Sequence, residues 1–143
     1  MINMPHQITI NEKPEKIYEA ITTSEGIKGW WTSDAKVEPT VGTVAEFGFY
    51  NRQAVFQMHI DKLEKGKLVN WTAQHDMPGW KGTKISFELS PQENGSTILH
   101  FSHSGWDSMD GPYAMINTTW GTLMSILKQY VEGGNPGAWY QGS

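Results

Sequence analysis

The 143-residue chain contains no cysteine, which excludes disulfide bonds, thiol nucleophiles and thiolate zinc sites. It also lacks an apolar run of about 18 residues, the length that a membrane-spanning helix requires. The amino-terminal sequence MINMPHQITI does not show the basic-then-apolar layout of a signal peptide. We therefore expect a cytoplasmic protein that does not insert into a membrane.

Basic residues are few and scattered. The 11 Lys and Arg residues are outnumbered by 15 Asp and Glu residues, and they form no stripe of the kind that follows phosphates. The sequence has no Gly-x-Ser-x-Gly elbow, no glycine-rich phosphate loop and no signature for NAD, ATP or haem. We therefore predict no nucleic-acid partner and no cofactor.

Aromatic residues, in contrast, are abundant, and they include seven tryptophans. The most regular apolar pattern runs from Pro112 to Glu132 in steps of three and four, which places the large side chains on one face of a helix. About twenty residues give a helix of roughly 30 Å, so its apolar stripe needs a large apolar surface. Asp110 is the predicted N-cap and Gly133 the predicted stop. The stripe comprises Tyr113, Ile116, Trp120, Leu123, Leu127 and Tyr130.

The rest of the chain predicts a sheet preceded by short helices. A first strand over 7–10 is followed by one helix that begins at Pro14 and a second that has Ser24 as its cap. Five segments with alternating apolar side chains then follow, over 43–49, 54–63, 68–73, 83–90 and 96–104. Joined by hairpins, they predict an antiparallel meander of five or six strands with one dry face.

The predicted fold class is therefore α+β, in the order strand, two helices, five or six strands and one long helix. We expect a single domain over 1–143, with a core at about 6–134 and a tail over 135–143. The tail is either loosely ordered or held in part by Trp139 and Tyr140.

Several short motifs accompany this order of elements. They are Pro14, Glu15 and Ile17; Trp30 and Trp31; Thr97, Leu99, Phe101 and His103; and Gly105 with Trp106. Together they resemble the helix-grip fold of the START and Bet v 1-like (SRPBCC) superfamily. Within it, they resemble the branch named for the activator of heat-shock protein 90 ATPase. The resemblance implies a curved sheet wrapped around the C-terminal helix, often enclosing an apolar cavity. The activators that gave the branch its name carry an additional amino-terminal domain, and this chain corresponds to their carboxyl-terminal domain.

His103 is the main candidate for chemistry, because alternation turns it inward with Leu99 and Phe101. It would act as an acid, a base or a ligand anchor, or it would serve the architecture through a hydrogen bond to backbone or to an indole. The structural interpretation is favoured because no inward carboxylate or nucleophile accompanies it, so we predict no catalytic residue. His59 and Asp61 share the wet face, and the histidines lack ligand spacing, so we predict no metal site.

The inward aromatic and Met residues either line a pocket or fill the core, and the sequence leaves both open. Trp30 and Trp80, on a helix end and a loop, are predicted to be mobile gates. The candidate ligand-binding residues are Trp31, Phe47, Phe49, Phe56, Met58, Trp71, Trp80, His103, Trp106, Ile116 and Trp120.

Three functions compete at this stage. The first is binding of a small apolar or aromatic molecule in a cavity between the sheet and the long helix. The second, which the resemblance implies, is a protein-interaction module that acts as a chaperone accessory. The third is a cyclase-like or hydrolase-like enzyme, as found elsewhere in the superfamily, with His103 as base. Sheet edges and tail aromatics also leave a homodimer open.

Overall fold

A computed structural model describes residues 2–142. Within these residues, one strand, two short helices, six strands and one long helix follow one another in the predicted order. The elements are β1 (Ile2–Ile10), α1 (Pro14–Thr22), α2 (Ser24–Trp30), β2 (Asp34–Lys36), β3 (Val44–Phe49), β4 (Ala54–Glu64), β5 (Leu68–Ala73), β6 (Lys84–Pro91), β7 (Thr97–Trp106) and α3 (Pro112–Val131).

All seven strands form one antiparallel sheet in the order β1-β7-β6-β5-β4-β3-β2. The chain therefore runs as a meander from β2 to β7, and β1 closes the far edge beside β7. The sheet curves around α3, so the predicted α+β helix-grip fold is confirmed. The strand side chains predicted to face inward are buried, except for Ala54 and Phe56, which are half-buried. Ala54 and Phe56 therefore lie where the apolar core is open to solvent.

The long helix α3 lies against the dry face of this sheet. Trp120, Leu123 and Leu127 are fully buried, because the alternating steps of three and four place them on the face toward the strands. The prediction of Asp110 as N-cap is wrong. The N-cap is Gly111, whose φ of 58° suits glycine, and no side chain of residues 2–142 caps the helix.

The two short helices pack closely on each other. Thr23, not Ser24, caps α2, because the Thr23 hydroxyl accepts the Gly26 N–H at 2.9 Å. The indole of Trp30 is fully buried between the helices and donates to the carbonyl of Ala20 at 2.9 Å. A side chain held in this way is part of the core, so the prediction of Trp30 as a mobile gate is wrong.

Two strands differ from the predicted pattern. β1 begins at Ile2, five residues before the predicted start, and it contains Pro5, which an edge strand tolerates because one row of its amides needs no partner. β2 has only three residues, which is too short for alternation to show. Within residues 2–142, no helix is both long enough and apolar enough to cross a bilayer.

Candidate functional site

An apolar pocket of about 280 Å³ lies between one end of the sheet and α3. The β3–β4 hairpin, the loop before β6, the first half of α3 and the segment after α3 all contribute to its walls. The lining residues are Trp31, Phe49, Tyr50, Ala54, Phe56, Met77, Trp80, Met115, Ile116, Thr119, Trp120, Leu123, Trp139 and Tyr140.

Exposure separates the floor of this pocket from its mouth. Trp31, Trp120 and Leu123 are almost completely buried and form the floor. Tyr50 and Met115 are 64% and 69% exposed and lie at the mouth. Among the fourteen lining side chains none is charged, and the polar side-chain groups are the hydroxyls of two tyrosines and one threonine and the indole N–H groups of four tryptophans. The pocket therefore suits a neutral, largely apolar molecule.

In the floor, aromatic rings pack against one another around Trp31. Its ring centroid lies 4.5 Å from that of Phe47, 5.1 Å from Trp120 and 6.4 Å from Trp71. Tilted and offset aromatic pairs of this kind contribute about 0.5–1.5 kcal/mol each beyond their burial. Trp31 and Trp120 therefore present aromatic surface to the pocket.

Six of the eleven predicted cavity residues line this pocket, and five lie elsewhere in the core. Phe47, Trp71 and Met58 are buried on the inner face of β3, β5 and β4. His103 and Trp106 lie beyond Trp80, with ring centroids 4.8 Å and 6.2 Å from it. The six lining residues are Trp31, Phe49, Phe56, Trp80, Ile116 and Trp120.

His103 is fully buried and both of its ring nitrogens are occupied. The Trp120 indole donates to Nδ1 at 3.1 Å, so Nδ1 carries no proton and Nε2 carries it. Nε2 then donates to the Thr83 hydroxyl at 2.8 Å, and that hydroxyl donates to the Trp80 carbonyl at 2.6 Å. This chain of hydrogen bonds links the floor of the pocket to the loop that carries Trp80.

The surroundings also keep His103 neutral. Burial, with a smaller contribution from neighbouring His75, lowers the pKa of His103 to about 3. Burial likewise lowers the pKa of His75, whose ring stacks on Phe56 at 4.6 Å. With no free nitrogen and no solvent contact, His103 is placed to fix Trp120 and Thr83, and not to transfer a proton to a molecule in the pocket.

Eight lining residues were absent from the predicted set. The sequence predicts Ala54 and Leu123 on inward faces, but not at the cavity. The others lie on the hairpin tip, on the loop, at the flank of α3 and in the tail, where periodicity gives no signal. They are Tyr50, Met77, Met115, Thr119, Trp139 and Tyr140.

The outer face of the sheet carries a polar cluster that does not reach the pocket. His59 Nδ1 lies 2.6 Å from Asp61, the other Asp61 oxygen accepts the Thr72 hydroxyl, and Lys84 donates to Thr72 at 2.8 Å. These side chains are partly exposed, as predicted for the wet face. Among residues 2–142, no three His, Asp or Glu side chains are grouped in a way that could hold a metal ion.

A curved antiparallel sheet that grips a C-terminal helix above an apolar pocket defines the helix-grip class of proteins. Within this class, the chain belongs to the family described as Activator of Hsp90 ATPase homolog 1-like protein, whose model matches residues 11–132. The predicted resemblance is therefore confirmed.

Solved structures agree with this assignment. The Aha1 dimer from Colwellia psychrerythraea, solved in solution, is 38% identical, with a TM-score of 0.86 over 94% of this chain and 98% of its own. A protein from Staphylococcus saprophyticus is 20% identical, with a TM-score of 0.79 over 97% and 98% of the two chains. One from Mesorhizobium loti is 21% identical, with a TM-score of 0.79 over 92% and 97%. The last two share the fold. The comparison with curated proteins found no match.

Proposed function

We propose that the protein binds a small, neutral, apolar or aromatic molecule in the pocket between the sheet and α3. The observation that supports this proposal is the chemistry of the lining. Fourteen side chains surround about 280 Å³, and none of them is charged. Sites for small molecules are typically concave and mostly apolar with a few polar groups, and this lining has that character.

The chemistry of the lining restricts the ligand. Burying an unpaired charge is costly, and the pocket offers no counter-charge, so an ionised head group would have to stay at the mouth. The hydroxyl of Thr119 lies on the wall, and because it donates to the Met115 carbonyl at 3.1 Å, it can serve a ligand as an acceptor. A ligand with flat apolar surface and at most a few hydrogen-bonding groups fits this arrangement.

A pocket-filling substitution tests the proposal. N-phenyl-1-naphthylamine is neutral and brightens in an apolar environment, so its fluorescence can be titrated with protein. Thr119→Trp places an indole in the pocket, whereas Thr118→Trp adds the same indole at an exposed position on the same helix. We expect Thr119→Trp to weaken binding by about ten-fold or more, equivalent to about 1.4 kcal/mol, and Thr118→Trp to leave it unchanged.

Two results would contradict the proposal. Wild-type protein that shows no saturable increase in fluorescence would indicate that the pocket does not bind molecules of this class. Equal binding by wild type and Thr119→Trp would indicate that the probe binds somewhere else.

A second candidate is a chaperone-accessory role, which the family description favours, as does the similarity to an Aha1 protein. The mouth of the pocket also presents exposed Tyr50, Met77, Met115 and Trp139, and flexible Met-rich surfaces accommodate varied protein partners. The test is the ATPase rate of heat-shock protein 90 with and without the protein. We expect stimulation that Met115→Ala reduces, and an unchanged rate together with no binding would exclude this role.

We also propose that the protein forms a homodimer, because the 38% identical Aha1 protein is a dimer. Sedimentation equilibrium would then give a mass of twice 16.1 kDa at micromolar protein. A mass of 16.1 kDa at every concentration tested would contradict it.

A further inference from the structure

The segment that follows α3 returns to the pocket and forms part of its wall. The family match ends at residue 132, and the described chain continues to residue 142. Within this extension, Trp139 and Tyr140 both line the pocket. Their rings contact Phe49, with centroids 6.4 Å and 5.4 Å away. This part of the pocket wall therefore lies outside residues 11–132, the range that the family model matches.

Backbone hydrogen bonds dock this extension beside the short edge strand β2. Trp139 N–H donates to the Trp30 carbonyl at 3.1 Å, and Tyr140 N–H donates to the Trp31 carbonyl at 2.8 Å. Ser33 N–H in turn donates to the Tyr140 carbonyl at 3.0 Å. The extension thus pairs with the chain just before β2 as a single parallel bridge, Thr32 to Tyr140. This bridge lies outside the seven-stranded sheet, so breaking its bonds would leave every strand pairing of the sheet intact.

The extension also holds the hairpin on the other side of the mouth. The hydroxyl of Tyr140 accepts the Tyr50 N–H at 2.9 Å, and the two rings meet edge to face at 5.2 Å. Tyr50, Asn51 and Arg52 have φ values of 53°, 56° and 66°, a conformation that side chains other than Asn and Asp rarely adopt. A hairpin tip in this conformation needs contacts to hold it, and Tyr140 supplies two of them.

We propose that residues 138–142 form a strap that sets the upper size limit for ligands of the pocket. This inference rests on the proposed function. With the strap docked, Trp139 and Tyr140 close one side, and the pocket admits small neutral aromatic molecules. With the strap released, the wall opens beside Phe49 and Tyr50, and larger flat molecules enter. Trp139 is 46% exposed, so its indole contributes to the wall more than to the core.

Two neutral probes of different size test the strap. N-phenyl-1-naphthylamine is the smaller and Nile red, with four fused rings, is the larger, and both brighten in apolar surroundings. We expect wild type to prefer the smaller probe. Trp139→Ala should shift the ratio of the two dissociation constants toward Nile red by about ten-fold, or about 1.4 kcal/mol. Asn135→Ala, an exposed substitution in the same extension, is the matched control and should leave the ratio unchanged.

A milder variant keeps the test independent of stability. Tyr140→Phe removes the hydroxyl that accepts the Tyr50 N–H and leaves the ring in place. We expect it to shift the ratio in the same direction and to speed amide hydrogen exchange at Tyr50.

The outcomes separate the two proposals. If wild type binds neither probe, the proposed function fails and the strap fails with it. If wild type binds the smaller probe but Trp139→Ala and Tyr140→Phe leave the ratio at its wild-type value, the pocket remains and the strap is overturned.

Discussion

The contact between Trp120 and His103 allows a sharp test of how the floor of the pocket is stabilised. Trp120 is 1% exposed and its indole N–H donates to His103 Nδ1 at 3.1 Å. Its ring centroid lies 4.4 Å from that of Phe101. The perturbation is Trp120→Phe, which keeps an aromatic ring and removes the donor.

The expected loss of unfolding free energy comes from the hydrogen-bond acceptor on His103, which loses its partner. In Trp120→Phe, Nδ1 of His103 becomes a buried acceptor without a partner, which costs about 1–3 kcal/mol of unfolding free energy. Trp120→Ala also removes the ring, and truncations of this size in a packed core cost about 3–5 kcal/mol. Relaxation into the adjoining pocket would place the Ala variant toward the lower end of that range.

Trp71→Phe is the matched control. Trp71 is equally buried, and its indole makes no hydrogen bond to a described side chain or backbone group, so this substitution loses the same volume without leaving an unpaired acceptor. Urea unfolding followed by far-ultraviolet circular dichroism measures each variant without relying on tryptophan fluorescence. A Trp120→Phe variant that loses no more stability than Trp71→Phe would refute the role assigned to the hydrogen bond.

Two further predictions concern pH and helix packing. The pKa of His103 is about 3 in the folded protein and near 6.5 in the unfolded chain, so the unfolded state binds the extra proton. The free energy of unfolding should therefore fall as the pH drops below about 6.5, by up to about 1.4 kcal/mol per pH unit. Urea titrations across this range should show a shallower dependence for His103→Gln, and equal slopes would contradict the assignment. In a second pair, Gly26→Ala should cost about 1–3 kcal/mol, because its Cβ would lie 2.6 Å from the Ala20 backbone. Gly121→Ala in α3 should instead gain about 0.5–1 kcal/mol, because its Cβ meets nothing closer than 3.6 Å. Thermal unfolding of both variants checks the signs, and a Gly26→Ala variant as stable as wild type would contradict the close helix contact.

The sheet and the long helix could be predicted because one face of each is buried and therefore carries apolar residues at a regular spacing. Apolar residues at every second position, such as Phe47 and Phe49, mark the buried face of a strand. Apolar residues in steps of three and four, such as Trp120 and Leu123, mark the buried face of a helix. The indole partner of His103 was also among the predicted alternatives. By contrast, β2 escaped prediction because three residues do not establish a period.

The mouth of the pocket could not be predicted in the same way. Tyr50 lies on a hairpin tip, Met77 on a loop and Trp139 in the tail, and their meeting depends on tertiary docking of segments far apart in sequence. Periodicity also cannot distinguish a residue that faces a void from one that faces another side chain. The sequence therefore predicts Phe47 and Trp71 at the cavity together with Trp31, although of these three only Trp31 lines the pocket.

The most direct measurement of the proposed function uses the methionine methyl groups as reporters inside one molecule. Met77 and Met115 line the pocket, whereas Met109 is exposed away from it and Met124 is buried in the core. An aromatic ligand shifts nearby methyl resonances through its ring current. Titration of protein carrying isotope-labelled methionine methyl groups with N-phenyl-1-naphthylamine should shift Met77 and Met115 saturably and leave Met109 unchanged. Shifts confined to Met109, or no saturable shift at Met77 and Met115, would contradict a ligand-binding pocket at this site.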